Sequence, residues 1–320
     1  MIVERPLVIV GATTSGKSNV ALDVVRRRQS TSTSAEIISC DSMAVYRGMD
    51  IGTASPSAAA RAEVPHHLLD VIDPNEEYSV SEFAPAVTTV LADLHHRRVA
   101  AVLVGGTGLY VRAVTDQLAL PPRFDDVAAE LDTEPDTGVL FERLIRLDPI
   151  AATRIPPGNR RRVLRALEVT IGSGRPFSDS GPGLAAYPAN RYVQVGLRVP
   201  RDILEVRIRS RLQAQLDSGL LAEVERLRDV PGGPSRTARE ALGYRELLAY
   251  LRNETSLQDA IELIVVRTRR LAVRQVRWFR RDPRITWFDA LDTDPADLAG
   301  RIDRHWSEVA SGSPPVAGSS

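Results

Sequence analysis

A glycine-rich segment near the start of the chain has the residue types and the spacing that bind phosphate groups. It fits the pattern G-x-x-x-x-G-K-[ST] and lies between an apolar run that predicts a strand, Leu7 to Val10, and a helical pattern. In such a loop the backbone N–H groups face the phosphates, the lysine reaches the outer phosphates, and the last hydroxyl can hold Mg²⁺. The residues predicted to bind phosphate are Gly11, Ala12, Thr13, Thr14, Ser15, Gly16, Lys17 and Ser18, with Ser18 as the Mg²⁺ ligand. The pattern leaves open whether the phosphates belong to a nucleotide or to another pyrophosphate.

Lys17 is also the only lysine among 41 basic residues, and all the others are arginines. A codon bias toward arginine explains a surface without lysine, but it does not explain the single exception. A compact ammonium on a flexible stem differs chemically from a planar guanidinium. The solitary lysine therefore indicates a functional requirement at this position.

A carboxylate follows the second predicted strand, Glu36 to Ser39, at Asp41. Ligands of open α/β sheets bind at the carboxyl ends of the strands, so we expect Asp41 to face the phosphate loop. Three roles are open: a cap of the following turn, a carboxylate associated with Mg²⁺, and a general base that activates a nucleophile.

The third predicted strand, Ala101 to Val104, ends in Gly105, Gly106, Thr107 and Gly108 rather than in an acidic residue. This ending differs from that of hydrolases in which an acid on the Mg²⁺ side follows such a strand. The glycines let the backbone approach a ligand closely, and the Thr107 hydroxyl can donate to a bridging or leaving oxygen. A plain strand-to-helix turn is the alternative interpretation.

The order of elements predicts an α/β fold of the P-loop NTPase type, with a parallel sheet flanked by helices and a helical insertion domain. Further predicted elements are helices at Ser18 to Arg28, Val80 to Arg97, Thr137 to Leu147, Arg160 to Ile171 and Ile261 to Arg281, and strands at Tyr192 to Val199 and, at an edge, Ile285 to Phe288. We expect residues 1–117 to form the first part of the core, 118–190 the insertion, 191–310 a mostly helical second part and 311–320 a disordered tail.

The composition narrows the class of protein. With 320 residues, 43% hydrophobic content and 41 acidic residues balancing the 41 basic ones, the chain is typical of a globular protein. We expect a cytoplasmic location, because the sequence has no membrane-length apolar run and no signal-peptide pattern. We also expect a monomer, although the sequence does not determine the oligomeric state. Cys40 is the only cysteine, which excludes an internal disulfide and a cysteine-built zinc site.

Several segments together resemble the bacterial tRNA dimethylallyltransferases, also called tRNA isopentenyltransferases. The resemblance covers most of the chain, and the segment from Asp41 to Ala54 is far more specific than the phosphate loop. The matching segments are Gly11 to Ser18, Ile38 to Ser42, Tyr46 to Ala54, Pro65 to Asp70, Val104 to Thr107, Arg162 to Val169, Ala241 to Arg245 and Arg274 to Phe279.

The resemblance implies a reaction and a set of roles. Dimethylallyl pyrophosphate is expected to bind with its pyrophosphate on the loop, and the N6 amine of an adenosine beside the anticodon of tRNA to attack the allylic carbon. Asp41 is the implied base, and Lys17, Thr107 and Mg²⁺ stabilise the leaving pyrophosphate. Arg207 and Arg211, four residues apart on a predicted helix, are candidates for a further clamp, with a solvated face as the alternative.

The resemblance also implies contacts to tRNA. The target adenine must leave its stack to reach a carboxylate, and two basic regions are expected to hold the rest of the RNA. An arginine stripe on the predicted Ile261 to Arg281 helix supports the second region; its members are Arg267, Arg270, Arg274, Arg277 and Arg281. A solvated face is the alternative for either region. The residues predicted to contact tRNA are Asp41, Ser42, Met43, Ala44, Thr107, Arg161, Arg162, Val163, Leu164, Arg165, Arg274 and Arg277.

Three other functions compete with this interpretation. A small-molecule kinase would use the same loop with ATP, but it needs an acceptor site that the sequence does not reveal. A transferase acting on free adenine nucleotides is closer, although the insertion and the arginine stripe favour tRNA. A catalytically silent RNA-binding module would leave Lys17 and Asp41 unexplained. The sequence does not tell which tRNAs are modified, or whether the prenylated adenosine is modified further.

Overall fold

In a computed structural model, the chain divides into two units. One unit comprises Met1–Thr115 with Ala189–Ser320, and the other comprises Asp116–Pro188. The structure describes residues 4–30, 34–118, 120–180, 184, 186–291 and 293–310. The tail predicted at 311–320 therefore lies outside the described residues.

The first unit is built on a six-stranded sheet in which every pairing is parallel. The strands are β1 (Leu7–Gly11), β2 (Ala35–Ser39), β3 (His66–His67), β4 (Ala100–Gly105), β5 (Val193–Arg198) and β6 (Ile285–Asp289). Their order across the sheet is β3-β2-β4-β1-β5-β6, so β6 is an edge strand as the sequence predicted. The sequence did not predict β3, which has only two residues and no alternating apolar pattern.

Helices flank this sheet and make up the second unit. They are α1 (Lys17–Ser30), α2 (Asp50–Thr53), α3 (Ala58–Glu63), α4 (Val80–Arg97), α5 (Gly108–Thr115), α6 (Asp125–Asp132), α7 (Thr137–Leu147), α8 (Pro149–Arg154), α9 (Arg160–Ser173), α10 (Arg201–Asp217), α11 (Leu220–Arg228), α12 (Arg236–Arg239), α13 (Tyr244–Leu251), α14 (Leu257–Phe279) and α15 (Pro295–Ala310). Helices α6 to α9 belong to the second unit. The predicted parallel sheet flanked by helices is thus confirmed.

The sheet is covered on both faces, which explains why its central strands are continuous apolar runs. Leu7 and Ile9 of β1 pack into one cluster, with α1 and α15. Val8 and Val10 of the same strand pack into the other, with α4, α11, α13 and α14. Both faces of a parallel sheet must be buried, and alternate side chains of one strand reach opposite faces.

The second unit has a small core of its own. Leu144 of α7 and Val163 and Leu167 of α9 are fully buried there. Asp148, also buried, caps α8 by accepting the N–H of Ala151 at 2.9 Å. A side-chain oxygen at this position satisfies an N–H that the helix itself leaves unpaired, which fixes where the helix begins.

Candidate active site

A cavity of about 560 Å³ in the first unit brings together the three residues predicted to be catalytic, Lys17, Asp41 and Thr107. It lies at the carboxyl ends of β1, β2 and β4, where the phosphate loop and the segments after Ser39 and Gly105 meet. The predicted site residues that line it are Thr13, Thr14, Lys17, Ser18, Asp41, Ser42, Met43, Ala44, Thr107, Arg211 and Arg274. Arg207 and Arg277 are not among the described residues that line it.

The phosphate loop folds tightly between β1 and α1. Thr14 and Gly16 both have positive φ, at 61° and 90°, and a side chain at Gly16 would be strained in that conformation. Lys17 turns back on the loop and donates from Nζ to the carbonyl oxygen of Ala12 at 2.6 Å. Because α1 begins at Lys17, the N-terminal end of a 14-residue helix opens onto the cavity.

The electrostatic surroundings of Lys17 lower the pKa of its ammonium to about 8. Burial is the largest cause, because it disfavours the charged form. Asp41 opposes this shift as a nearby negative charge, and Arg211 adds to it as a positive one. The cavity therefore holds a lysine whose charge an incoming anion would stabilise.

Asp41 is held in place by the pairing of β2 with β4. The N–H of Cys40 donates to the carbonyl oxygen of Val104 at 2.7 Å. A Cβ at Gly105 would overlap the carbonyl group of Cys40, so glycine is needed for the two strand ends to lie this close. Asp41 Oδ1 accepts the N–H of Met43 at 2.9 Å. The carboxylate thus caps the following turn through one oxygen while Asp41 lines the cavity.

Thr107 lies beside the segment that follows Asp41. Its Oγ1 accepts the N–H of Ser42 at 3.4 Å, and the two hydroxyls are also 3.4 Å apart. These contacts are long, so Thr107 is oriented but its hydroxyl is not firmly engaged.

Arg211 of α10 joins the cavity at the phosphate loop. Its guanidinium donates to Thr13 Oγ1 at 3.3 Å, and burial lowers its pKa from the ordinary value. Arg207, one turn earlier on the same helix, is half-buried outside the cavity lining. The structure thus separates the two arginines that the sequence treated as a pair.

Helix α14 contributes a wall of the cavity as well as basic residues. Its wall residues Ile264, Leu271 and Trp278 recur at helical spacing along one face. Arg274 lines the cavity and Arg277 is exposed. Part of the apolar face of α14 therefore borders the cavity.

A buried carboxylate that the sequence did not reveal fixes another wall of the cavity. Glu223 accepts the N–H groups of Asp50, Ile51 and Gly52 at 3.0, 2.8 and 3.0 Å. It also accepts the hydroxyl of Tyr244 at 2.6 Å. Burial, and then this hydrogen bond, raise the pKa of Tyr244 well above its ordinary value. By accepting three successive N–H groups, Glu223 satisfies the unpaired donors at the start of α2 and anchors the segment around Gly52.

Gln275 of α14 is a second polar residue without a predicted role. Its Oε1 accepts the N–H of Thr13 at 2.8 Å, and its Nε2 donates to the carbonyl oxygen of Gly106 at 3.0 Å. A sequence motif predicts the glycine-rich loop, but no local pattern predicts a hydrogen-bond partner 262 residues away.

The predicted basic segment of α9, Arg161 to Arg165, belongs to the second unit. Arg161 and Arg162 are exposed, while Val163 is fully buried in that unit's core and Leu164 packs against it. Arg165 forms an ion pair with Glu168. The solvent-facing part of the segment is therefore its first two arginines.

Oxygen ligands suitable for Mg²⁺ are present in the cavity, although no cluster of three His, Cys, Asp or Glu side chains occurs among the described residues. Ser18 and Asp41 both line the cavity beside the phosphate loop. Mg²⁺ commonly takes one or two protein oxygens and completes its shell with water and substrate phosphates. The residues present fit such a site.

Comparisons with known proteins agree on one family. The family model described as IPP transferase matches residues 44–282. The chain is 42% identical to the tRNA dimethylallyltransferase of Bifidobacterium longum strain NCC 2705, covering 94% of this chain and 92% of that one. It is 43% identical to the enzyme of the same name from a Nocardioides species, covering 94% of each chain.

Solved structures give the same result. The tRNA isopentenylpyrophosphate transferase of Bacillus halodurans superposes with a TM-score of 0.72 at 35% identity, covering 97% of each chain. A eukaryotic dimethylallyltransferase acting on tRNA superposes with a TM-score of 0.81 at 25% identity, covering 97% of this chain and 80% of that one.

In the part of the chain that the structure describes, no helix is long and apolar enough to cross a membrane.

Proposed function

This chain belongs to the tRNA dimethylallyltransferase family, and from that premise we propose which reaction it performs. It transfers the dimethylallyl group of dimethylallyl pyrophosphate to N6 of the adenosine on the 3′ side of the anticodon in tRNA and releases pyrophosphate. The observation that carries the proposal is that Lys17, Asp41 and Thr107 line the same cavity. These are the groups that a transfer from a pyrophosphate to a weak amine nucleophile requires.

The pyrophosphate of the donor binds on the phosphate loop. The N-terminal end of α1 and the Lys17 ammonium attract it, and Lys17 exchanges the carbonyl oxygen of Ala12 for a phosphate oxygen. Arg211, already beside Thr13, adds a second positive charge. Arg207 stays a weaker candidate for the clamp, because it does not line the cavity.

Transfer forms one bond and breaks another at the same carbon. The N6 amine of adenine attacks the allylic carbon, and the bond from that carbon to the pyrophosphate oxygen breaks with its electron pair leaving on oxygen. Asp41, fixed by its bond to the N–H of Met43, accepts the proton that N6 loses. Lys17 and the Thr107 hydroxyl stabilise the charge that develops on the leaving oxygens.

Mg²⁺ is the cofactor we propose for this site. When bound, it neutralises charge on the pyrophosphate and so makes it a better leaving group. Ser18 is the side chain that would hold it, since a hydroxyl at this position of a phosphate loop is a usual Mg²⁺ ligand. Asp41 then remains available to accept the proton from N6.

The target adenine must leave its stack in the tRNA to enter the cavity, and this unstacking costs roughly a few kcal/mol. The segment from Asp41 to Ala44 and Thr107 form the wall that meets the base. Arg274, Arg277 and the arginines of α9 hold the RNA backbone by charge. The cytoplasmic location and the monomeric state stay predictions from the sequence.

Single-turnover transfer from radiolabelled dimethylallyl pyrophosphate to unmodified tRNA tests the proposal. We expect the wild type to label tRNA, and Asp41→Ala to bind both substrates but transfer more slowly by roughly 100-fold or more. A matched control is Asp229→Ala. It removes an exposed carboxylate that pairs with the neighbouring Arg228 and does not line the cavity. Labelling of AMP instead of tRNA would identify a free-nucleotide transferase, and consumption of ATP with a small acceptor would identify a kinase.

A further inference from the structure

The side-chain amide of Gln275 connects the two loops at the phosphate end of the cavity. Through Oε1 it accepts the N–H of Thr13 in the phosphate loop, at 2.8 Å. Through Nε2 it donates to the carbonyl oxygen of Gly106, at 3.0 Å. Gly106 directly precedes Thr107, so one side chain is bonded to the loop of Lys17 and to the loop of Thr107.

The surroundings hold this amide in one place. A Cβ on Gly106 would lie 2.5 Å from Gln275 Nε2, so only glycine leaves room for the contact. Helix α14 also packs against the phosphate loop here: Ala272, about one turn before Gln275, is buried with Ala12, and the adjacent Val276 packs against the same cluster. Because the packed helix and two hydrogen bonds hold this side chain in place, it sets the distance between the two loops.

From this geometry we infer that Gln275 is a positioning residue for prenyl transfer, an inference that rests on the proposed function. It holds the two loops at the separation at which Lys17 and Thr107 act on the same pyrophosphate. It acts through these loops and not on the reacting atoms. A displacement of about 1 Å in a reacting group costs roughly 100-fold in rate, so loss of this connection reduces transfer even though no catalytic group is removed.

Gln275→Met is the first test, because methionine keeps the length of the side chain and loses both hydrogen bonds. We expect single-turnover transfer at saturating donor and tRNA to fall roughly 10- to 100-fold, and the affinity for inorganic pyrophosphate to fall as well. Affinity for tRNA and the urea midpoint of unfolding should stay near wild type. Gln258→Met, an exposed glutamine at the other end of α14, is the matched control.

Gln275→Glu provides a second test, the pH dependence of the transfer rate, which would not change if Gln275 were merely structural. A protonated carboxyl group offers one acceptor and one donor, as the amide does, whereas the ionised form has no donor for Gly106 and repels the pyrophosphate. The transfer rate of this variant divided by the wild-type rate at the same pH should therefore rise as the pH falls from about 8 to about 5. Dividing by the wild-type rate removes the pH effects that the two proteins share.

Each of three results would overturn the inference: a wild-type rate in Gln275→Met, a ratio for Gln275→Glu that does not change with pH, or a loss confined to tRNA affinity. A wild type that transfers nothing would instead contradict the proposed function. Pyrophosphate binding, which needs neither tRNA nor a prenyl group, then decides the role of Gln275 by itself. Weaker binding to Gln275→Met than to wild type supports it, and equal binding overturns it.

Discussion

The Lys17 ammonium and the carbonyl oxygen of Ala12 are 2.6 Å apart, so the one lysine of the chain is folded back on its own loop. Burial there lowers its pKa to about 8. An anion on the loop replaces a neutral carbonyl by a charged partner and raises that pKa again. Donor binding is therefore coupled to proton binding at a pH close to neutrality.

This coupling predicts a pH dependence of pyrophosphate affinity. Below pH 8 the free protein already carries the Lys17 proton, so affinity is independent of this group. Above pH 8 the free protein loses the proton and binding must restore it, which weakens affinity by up to about 10-fold per pH unit. Calorimetric titration of inorganic pyrophosphate from about pH 7 to about pH 10 measures the slope.

Lys17→Arg is the control for that slope, because a guanidinium stays charged throughout the range. The ionisation of pyrophosphate itself is common to both proteins and cancels in the comparison. We expect the variant to bind more weakly but without the extra decline above pH 8. Parallel curves for the two proteins would rule out Lys17 as the titrating group.

Glu223 should matter for both stability and donor binding. In Glu223→Gln one acceptor oxygen becomes a donor inside a buried site. That donor faces either the N–H groups of Asp50 and Ile51, or the N–H of Gly52 and the hydroxyl of Tyr244. We expect a loss of about 2 to 4 kcal/mol in the free energy of unfolding, measured with urea, together with weaker pyrophosphate binding. The partly exposed Glu225 of the same helix, replaced by Gln, serves as the control. An unfolding curve equal to the control's would show that Glu223 does not hold the segment.

The sequence predicted the sheet and the phosphate loop because both follow local rules. The strands β1, β2 and β4 are short apolar runs, and the loop has a spacing that the chemistry imposes. Asp41 and Thr107 were placed correctly at the carboxyl edge because the strand before each residue was clear. Parallel topology then brings the ends of those strands together without further information.

The contacts that complete the site escaped prediction for the opposite reason. Gln275 meets Thr13 across 262 residues of sequence, and Glu223 meets Asp50 across 173. The apolar periodicity that predicts helices and strands does not predict which polar side chain will accept a hydrogen bond from a distant N–H. Arg267 illustrates the same limit, since it looked like part of a basic stripe yet pairs with the buried carboxylate of Glu246. Long-range partners of this kind depend on how helices pack, which local patterns do not encode.

Gly105→Ala should disrupt the junction of β2 and β4. The new methyl group would overlap the carbonyl of Cys40, which is backbone and cannot swing away. We expect a loss of at least about 3 kcal/mol in the free energy of unfolding, or failure to fold. Gly158→Ala is the control, because a Cβ there meets nothing within 4 Å. Equal unfolding free energies for the two variants would show that the strand ends can separate at little cost.

The exposed arginines of α14 should contribute to tRNA affinity by charge alone. Replacing Arg274 and Arg277 together by Ala removes two positive charges, so we expect the slope of log affinity against log salt to decrease by about 2. Filter binding of unmodified tRNA between about 50 and about 300 mM salt measures that slope. The urea midpoint should not change, because Arg274 and Arg277 are both exposed.

Arg267→Ala separates this electrostatic role from a structural one on the same helix. Its loss leaves the buried Glu246 with one charged partner fewer, so we expect a lower free energy of unfolding and an unchanged salt slope. Arg252→Ala, which removes an exposed ion pair with Glu254, should change neither quantity measurably. If the double variant and Arg252→Ala gave the same salt slope, tRNA would have to be held by a surface other than α14, and the arginines of α9 would be the next pair to replace.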